Sequence, residues 1–127
     1  MYSGQAITIN MKLYGIPNCD TVKKARAWLE TRGVEYEFHD YKKLGVDSGL
    51  LVQWMAKAGW EKVINRQGQT WRKLSEAEKT QVTDAASAIK LAQTNLSIIK
   101  RPALEHQGKL ILGFNEREYE NIFGVKA

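Results

Sequence analysis

The stretch Leu13-Tyr14-Gly15-Ile16-Pro17-Asn18-Cys19-Asp20-Thr21-Val22 constrains the chain most. A short apolar run, read as a strand over Lys12 to Gly15, ends in a Gly/Pro/Asn turn, and a helical pattern starts at once. Val22, Ala25 and Leu29 fall on one helical face between Asp20 and Arg32, and Gly33 supplies the stop. Val34, Tyr36 and Phe38 then alternate with Glu35, Glu37 and His39, the pattern of a second strand. A strand, a helix and a strand in this order form a β-α-β unit, whose two strands run parallel through a right-handed crossover.

The remainder extends that plan. Leu50, Leu51, Trp54, Met55 and Ala58 recur at helical spacing and are closed by Gly59. Trp60 to Leu74 is mixed, with Gly68 marking a loop. Ser75 with Glu78 is a capping-box signature, and helices are expected from Glu76 to about Thr94. Beyond Arg101-Pro102, strands over Ala103–Glu105 and Leu110–Leu112 flank a turn at Gln107-Gly108. Asn115 with Glu118 caps a last helix carrying Tyr119, Ile122 and Phe123. The expected fold is therefore α/β and thioredoxin-like: β-α-β and β-β-α halves around a four-stranded mixed sheet, with a helical insertion over about residues 47–96. One domain over residues 11–127 is expected, preceded by a weakly patterned, disordered extension over residues 1–10.

The strand–turn–helix opening places the only cysteine, Cys19, on the first turn of a helix. Unpaired backbone N–H groups and the helix dipole favour an anion there, and Lys23, Lys24 and Arg26 add positive charge. These effects favour the thiolate, which is the nucleophilic form, so Cys19 is the candidate catalytic residue and Lys23 a candidate for lowering its pKa. A lone cysteine can equally be a small buried hydrophobe, but its place at a helix start favours the reactive reading. Arg101 beside Pro102 presents a planar fork suited to a carboxylate or an oxyanion, or else is an ordinary surface charge. Asn18 either orients a substrate or serves the turn before the helix. Thr21 either donates to a bound anion or bonds within the first helical turn.

Other chemistries find little footing. With one cysteine and two distant histidines, His39 and His106, no spacing resembles a metal site, although a Cys–His pair is conceivable. Glycine-rich nucleotide-binding patterns are absent. The net charge of +5 could suit nucleic acid, a small anion or an acidic partner, but basic residues interleave with acidic ones and a solvated basic surface is the default, so the charge alone decides nothing. No nucleic-acid or membrane partner is expected. A single thiol excludes an internal disulfide, which fits a reducing cytoplasm, and no secretory signal pattern opens the sequence.

From Met11 to about Gly124 the chain resembles the arsenate reductase-like branch of the thioredoxin superfamily, which includes ArsC, Spx and YffB. The resemblance rests on Tyr14-Gly15-Ile16-Pro17-Asn18-Cys19-Asp20-Thr21, Phe38-His39-Asp40-Tyr41, Thr70-Trp71-Arg72-Lys73-Leu74, Ile99-Lys100-Arg101-Pro102 and Leu112-Gly113-Phe114. It is nearest the YffB subgroup, for which a glutathione-dependent thiol reductase role has been proposed. The resemblance implies Cys19 as nucleophile, Arg101 as an anion-binding residue, and a cis bond between Arg101 and Pro102. Arsenate reductases of this type hold their oxyanion with three arginines. Arg101 matches one, Arg66 stands one position from another, and Gly113-Phe114 stands where the third would be. Their histidine ahead of the cysteine is replaced by Gly15, and Val22 takes the place of the second cysteine of the Spx switch.

The expected function is a glutathione-dependent thiol oxidoreductase of arsenate reductase-like type. Cys19 forms a mixed disulfide or an oxyanion adduct, and glutathione or glutaredoxin resolves it as external thiol. Arg101, Arg66, Asn18, Thr21 and Pro102 form the expected substrate site. Glutathione is a co-substrate, no cofactor is tightly bound, and the protein is a monomer. The alternative is an Spx-like regulator that binds RNA polymerase without turnover.

Overall fold

The computed structural model describes residues 11–124, so the expected extension over residues 1–10 lies outside the described residues. The first strand, β1 (Lys12–Gly15), sends neighbouring side chains to opposite faces, Leu13 into one core cluster and Tyr14 into another. The first helix, α1 (Asp20–Thr31), buries Val22, Ala25, Trp28 and Leu29. Full burial of a large apolar side chain is worth about 1.5–3 kcal/mol, so this stripe fixes the helix against the sheet. The second strand, β2 (Glu37–Asp40), pairs with β1 in parallel, Lys12 opposite Glu37 and Gly15 opposite Asp40.

This second strand begins later than its alternation predicts. The ladder with β1 opens with the Glu37 N–H donating to the Met11 carbonyl at 2.9 Å, and Val34 to Tyr36 precede it. Val34, Tyr36 and Phe38 nonetheless pack on the same core, which is the face their spacing recorded. Asp40 then accepts hydrogen bonds from the Lys42 and Lys43 N–H groups and caps α2 (Tyr41–Leu44), a single turn that the hydrophobic pattern does not announce.

Between the two halves lie α3 (Ser48–Ala58), α4 (Trp60–Val63), α5 (Gln69–Arg72), α6 (Glu76–Thr80), α7 (Ala85–Thr94) and a 3-10 turn over Leu96–Ile98. The expected Ser75–Glu78 capping box is formed. The helical stretch that begins there is interrupted over residues 81–84, because Asp84 caps a new helix through a reciprocal box with Ser87. The strands β3 (Ala103–His106) and β4 (Lys109–Leu112) are joined by Gln107 at φ 51° and Gly108 at φ 78°. Two successive positive φ values match the right-handed twist of a tight hairpin, a conformation that glycine adopts without strain. Asn115 caps the closing helix, α8 (Glu116–Phe123), by accepting from the Glu118 N–H at 3.0 Å.

The strand order is β2-β1-β3-β4, with β1 and β2 parallel and the other pairs antiparallel. Leu13, Leu104 and Ile111 meet α1 and α8 on one face, while Tyr14 and Ala103 meet the inserted helices α2, α3 and α7 on the other. A mixed four-stranded sheet between two helical layers, entered by a β-α-β unit and left by a β-β-α unit, is the thioredoxin-like arrangement. Among the described residues no helix is long and apolar enough to cross a membrane.

Candidate active site

The close contact of β1 with α1 positions the sulfur. A Cβ added to Gly15 would stand 2.8 Å from Cγ2 of the buried Val22, so only glycine lets the end of the strand and the first helical turn approach this closely. The chain turns through Ile16, Pro17 and Asn18, and Cys19 becomes the N-cap of α1 in extended conformation, φ −135° and ψ 126°. Its carbonyl accepts the first helical hydrogen bond, from the Lys23 N–H at 2.9 Å.

An N-cap side chain ordinarily accepts from the N–H groups of the second or third helical residue. Those residues here are Thr21 and Val22. The cysteine makes no capping hydrogen bond of regular geometry, yet both N–H groups act on its sulfur. Partial burial pushes the Cys19 thiol up, and this is the largest single effect. The Val22 N–H, the Arg101 guanidinium and the Thr21 N–H together outweigh it, so the pKa lies below the ordinary thiol value.

Arg101 reaches the sulfur from the loop before β3. Ile64 and Ile99 form an antiparallel bridge, the Asn65 N–H donates to the Ile98 carbonyl, and the Lys100 N–H donates to the Val63 carbonyl, each at 2.8 Å. The Arg101–Pro102 bond is cis, and the buried Pro102 accepts from the Gly113 N–H at 2.8 Å. Arg101 Nη1 donates to the Ser97 carbonyl at 2.7 Å, which holds the guanidinium over the site. Its Nε is buried with no partner among the described residues.

Tyr41 completes the group. It is fully buried, its hydroxyl donates to the Ile99 carbonyl at 3.0 Å, and it adjoins both Arg101 and Cys19. Burial raises its pKa, and the neighbouring guanidinium only partly opposes the rise. The hydroxyl therefore stays protonated and leaves the positive charge of Arg101 available to the sulfur. Tyr41 was not among the residues expected at the site. Its sequence signals are its place in the Phe38-His39-Asp40-Tyr41 motif of the resemblance and Asp40, whose capping begins the turn that places it.

The other candidates divide. Thr21 is at the site through its backbone, and its side chain is exposed. Lys23 Nζ points to Asn18 Oδ1 at 3.4 Å on the exposed turn, so Lys23 and Asn18 engage each other while Arg101 supplies the charge at the sulfur. Arg66 is not brought to Cys19. It lies 5.2 Å above the Trp60 ring, in a cleft that Lys100 also lines. The histidines stand elsewhere. His39 hydrogen-bonds the Gly45 carbonyl through Nε2 and packs on Tyr14, and His106 packs on Phe123 at the far end of β3.

Arg101→Gln removes the charge and keeps a donor of similar reach. The pH midpoint for alkylation of Cys19 should rise toward the free-thiol value of about 8.5, with the rate at pH 7 falling several-fold. Rates well above that value should converge with wild type. An unchanged midpoint would separate Arg101 from the sulfur.

Comparison with known proteins finds relatives over most of the chain. The model of the ArsC family matches residues 14–122. The solved structure of the YFFB protein is 49% identical, covers 87% of this chain and 96% of its own, and superposes with a TM-score of 0.83. The arsenate reductase (ArsC) related protein from Brucella melitensis is 45% identical over 95% of this chain and 100% of its own, with a TM-score of 0.74. The global transcriptional regulator Spx of Streptococcus pyogenes is 29% identical over 109 residues, which are 84% of this chain and 79% of that protein.

Proposed function

The chain belongs to the ArsC family, and on that premise we propose that it is a monothiol oxidoreductase that works with glutathione. The observation that carries the reading is the convergence of the Val22 and Thr21 N–H groups and the Arg101 guanidinium on one sulfur, Cys19. A thiolate held in this way attacks one sulfur of a disulfide substrate. A new bond forms between Cys19 and that sulfur, the substrate S–S bond breaks, and the other half leaves as a thiolate that takes a proton from water. The transition state spreads negative charge over three sulfurs, and Arg101 stands where that charge develops.

The second half-reaction needs a thiol from outside. Cys19 is the only cysteine in the chain, so glutathione or a glutaredoxin must attack the mixed disulfide and release Cys19. An arsenate adduct, formed when the thiolate displaces water from the oxyanion, would need the same external thiol to take arsenic to the trivalent state. Arg101 holds the anionic substrate in either case. Without an arginine at Gly113-Phe114, the disulfide route is the better supported of the two.

The test is direct. Incubation with glutathione disulfide at pH 7 should add one glutathionyl group to the protein by intact mass, and excess glutathione should remove it within the dead time of the measurement. A protein that stays unmodified overturns the reading. The likeness to the Spx regulator favours a second reading, a regulatory module that binds RNA polymerase without turnover. Retention on immobilised RNA polymerase at micromolar protein, without thiol transfer, would select it.

A further inference from the structure

A cleft of about 470 Å³ lies between the α4–α5 connection and the end of β4, and Lys100 in its lining is the chain neighbour of Arg101 at the site just described. Lys62, Arg66 and Lys100 line it against a single carboxylate, Glu61, and Ile64 and Leu112 supply an apolar floor. The two ion pairs of the described residues, Arg26–Glu30 and Lys79–Glu76, lie elsewhere, so the three cations have no protein counter-ion within ion-pair distance among those residues. Arg66 is braced on the Trp60 ring.

Lys100 is seated by an absence. Gly113 has φ +80°, and a Cβ there would stand 3.2 Å from Lys100 Cε and 4.0 Å from its Nζ. The missing side chain lets the lysine stem cross the end of β4, which keeps its ammonium at the cleft while its neighbour Arg101 faces Cys19. The size of the cleft selects the ligand class. A single oxyanion would leave most of it empty, whereas it falls in the range of small-molecule sites, which is about 300–1,000 Å³ and has room for a tripeptide. An extended tripeptide reaches about 10 Å, and the cleft begins one residue along the chain from the Arg101 that acts on the Cys19 sulfur.

We propose that this cleft is the carboxylate subsite for the glutathione moiety joined to Cys19, with Lys62 and Lys100 as its specificity-determining cations. The inference rests on the glutathione reading and adds to it the surface that would distinguish glutathione from any other thiol. The step it serves is the attack of the Cys19 thiolate on glutathione disulfide, which yields the protein–glutathione mixed disulfide and one glutathione thiolate.

The experiment compares second-order rate constants for wild-type protein with glutathione disulfide and with neutral bis(2-hydroxyethyl) disulfide. The ratio of the two should fall about fivefold in Lys62→Gln/Lys100→Gln, the size expected of two partly exposed ion pairs. Lys62→Gln alone changes one exposed side chain and should give part of the fall, which keeps the test open if the double variant folds poorly. A wild-type preference for glutathione disulfide that survives both substitutions overturns the subsite and leaves the glutathione reading standing. Equal slowing with both disulfides also overturns the subsite, because the lysines would then act on Cys19 and not on the ligand. A wild-type ratio near one overturns the glutathione reading and the subsite with it.

Discussion

Cys19→Ser is expected to remove thiol transfer altogether, by at least about a thousandfold, while the fold persists. The chain holds no second thiol to take over, and serine is too weak a nucleophile without a base to deprotonate it. Nothing at the site offers such a base. Tyr41 is buried and protonated, Arg101 is a cation, and both histidines are engaged away from the sulfur. The substitution also has a consequence for stability that changes with pH. Serine is among the preferred N-cap residues and should accept regular hydrogen bonds from Val22 or Thr21 where the neutral thiol makes none, a gain of about 0.5–1 kcal/mol.

The sign follows from the depressed pKa of Cys19 in the fold. A thiol whose folded pKa lies below its unfolded value contributes stability that is fully present above the unfolded value, about 8.5, and is lost as pH falls through the folded value. The serine variant should therefore exceed wild type most at acid pH, below the folded value, and the gap should narrow or reverse toward pH 9. Urea midpoints taken across that range check it. A gap that does not vary with pH would mean that the fold does not favour the thiolate, and residual transfer in the serine variant would remove Cys19 from the chemistry.

The order of elements was legible because each boundary carries local chemistry: the turn ahead of Cys19, the Ser75–Glu78 box, the hairpin at Gln107-Gly108 and the Asn115 cap. What escaped was set by partners distant in sequence. Alternation over Val34–Phe38 records burial, but whether an extended residue joins a ladder depends on where β1 ends. Helices are expected over Glu76 to about Thr94 without a place for the break between them, and the reciprocal Asp84–Ser87 bonds set it at residues 81–84. At the site, Cys19 was legible from its own turn, and the cis bond before Pro102 followed from the family resemblance. Tyr41 was not legible, because its role depends on Ile99 and Arg101, which lie about sixty residues further on. The charge assigned to Lys23 comes instead from Arg101, since a lysine near in sequence is free to turn to Asn18 and to solvent.

Trp54 ties the inserted helices to the sheet, and Trp54→Ala should expose this. Trp54 is fully buried, meets the Tyr14 ring edge-on with centroids 5.0 Å apart, and donates from Nε1 to Glu105 Oε2 at 2.8 Å. Glu105 accepts from the Tyr14 hydroxyl as well, at 3.1 Å, so a residue of α3, one of β1 and one of β3 are tied at a single carboxylate. Truncation removes the packing, opens a cavity and leaves the carboxylate with one donor fewer. Losses of this kind are about 3–5 kcal/mol, a large part of the 5–15 kcal/mol that holds most domains. With a urea slope of about 1–3 kcal/mol/M, the midpoint should fall by about 2 M. Trp54→Phe keeps the ring against Tyr14 and loses only the N–H, so it should cost about 1–2 kcal/mol and fall between the two. Trp54 lies on the face of the sheet opposite α1, so the Cys19 alkylation midpoint should hold in whatever fraction remains folded. An alanine variant within about 1 kcal/mol of wild type would show that the insertion is held by its other contacts, and equal losses for alanine and phenylalanine would assign the whole effect to the hydrogen bond with Glu105.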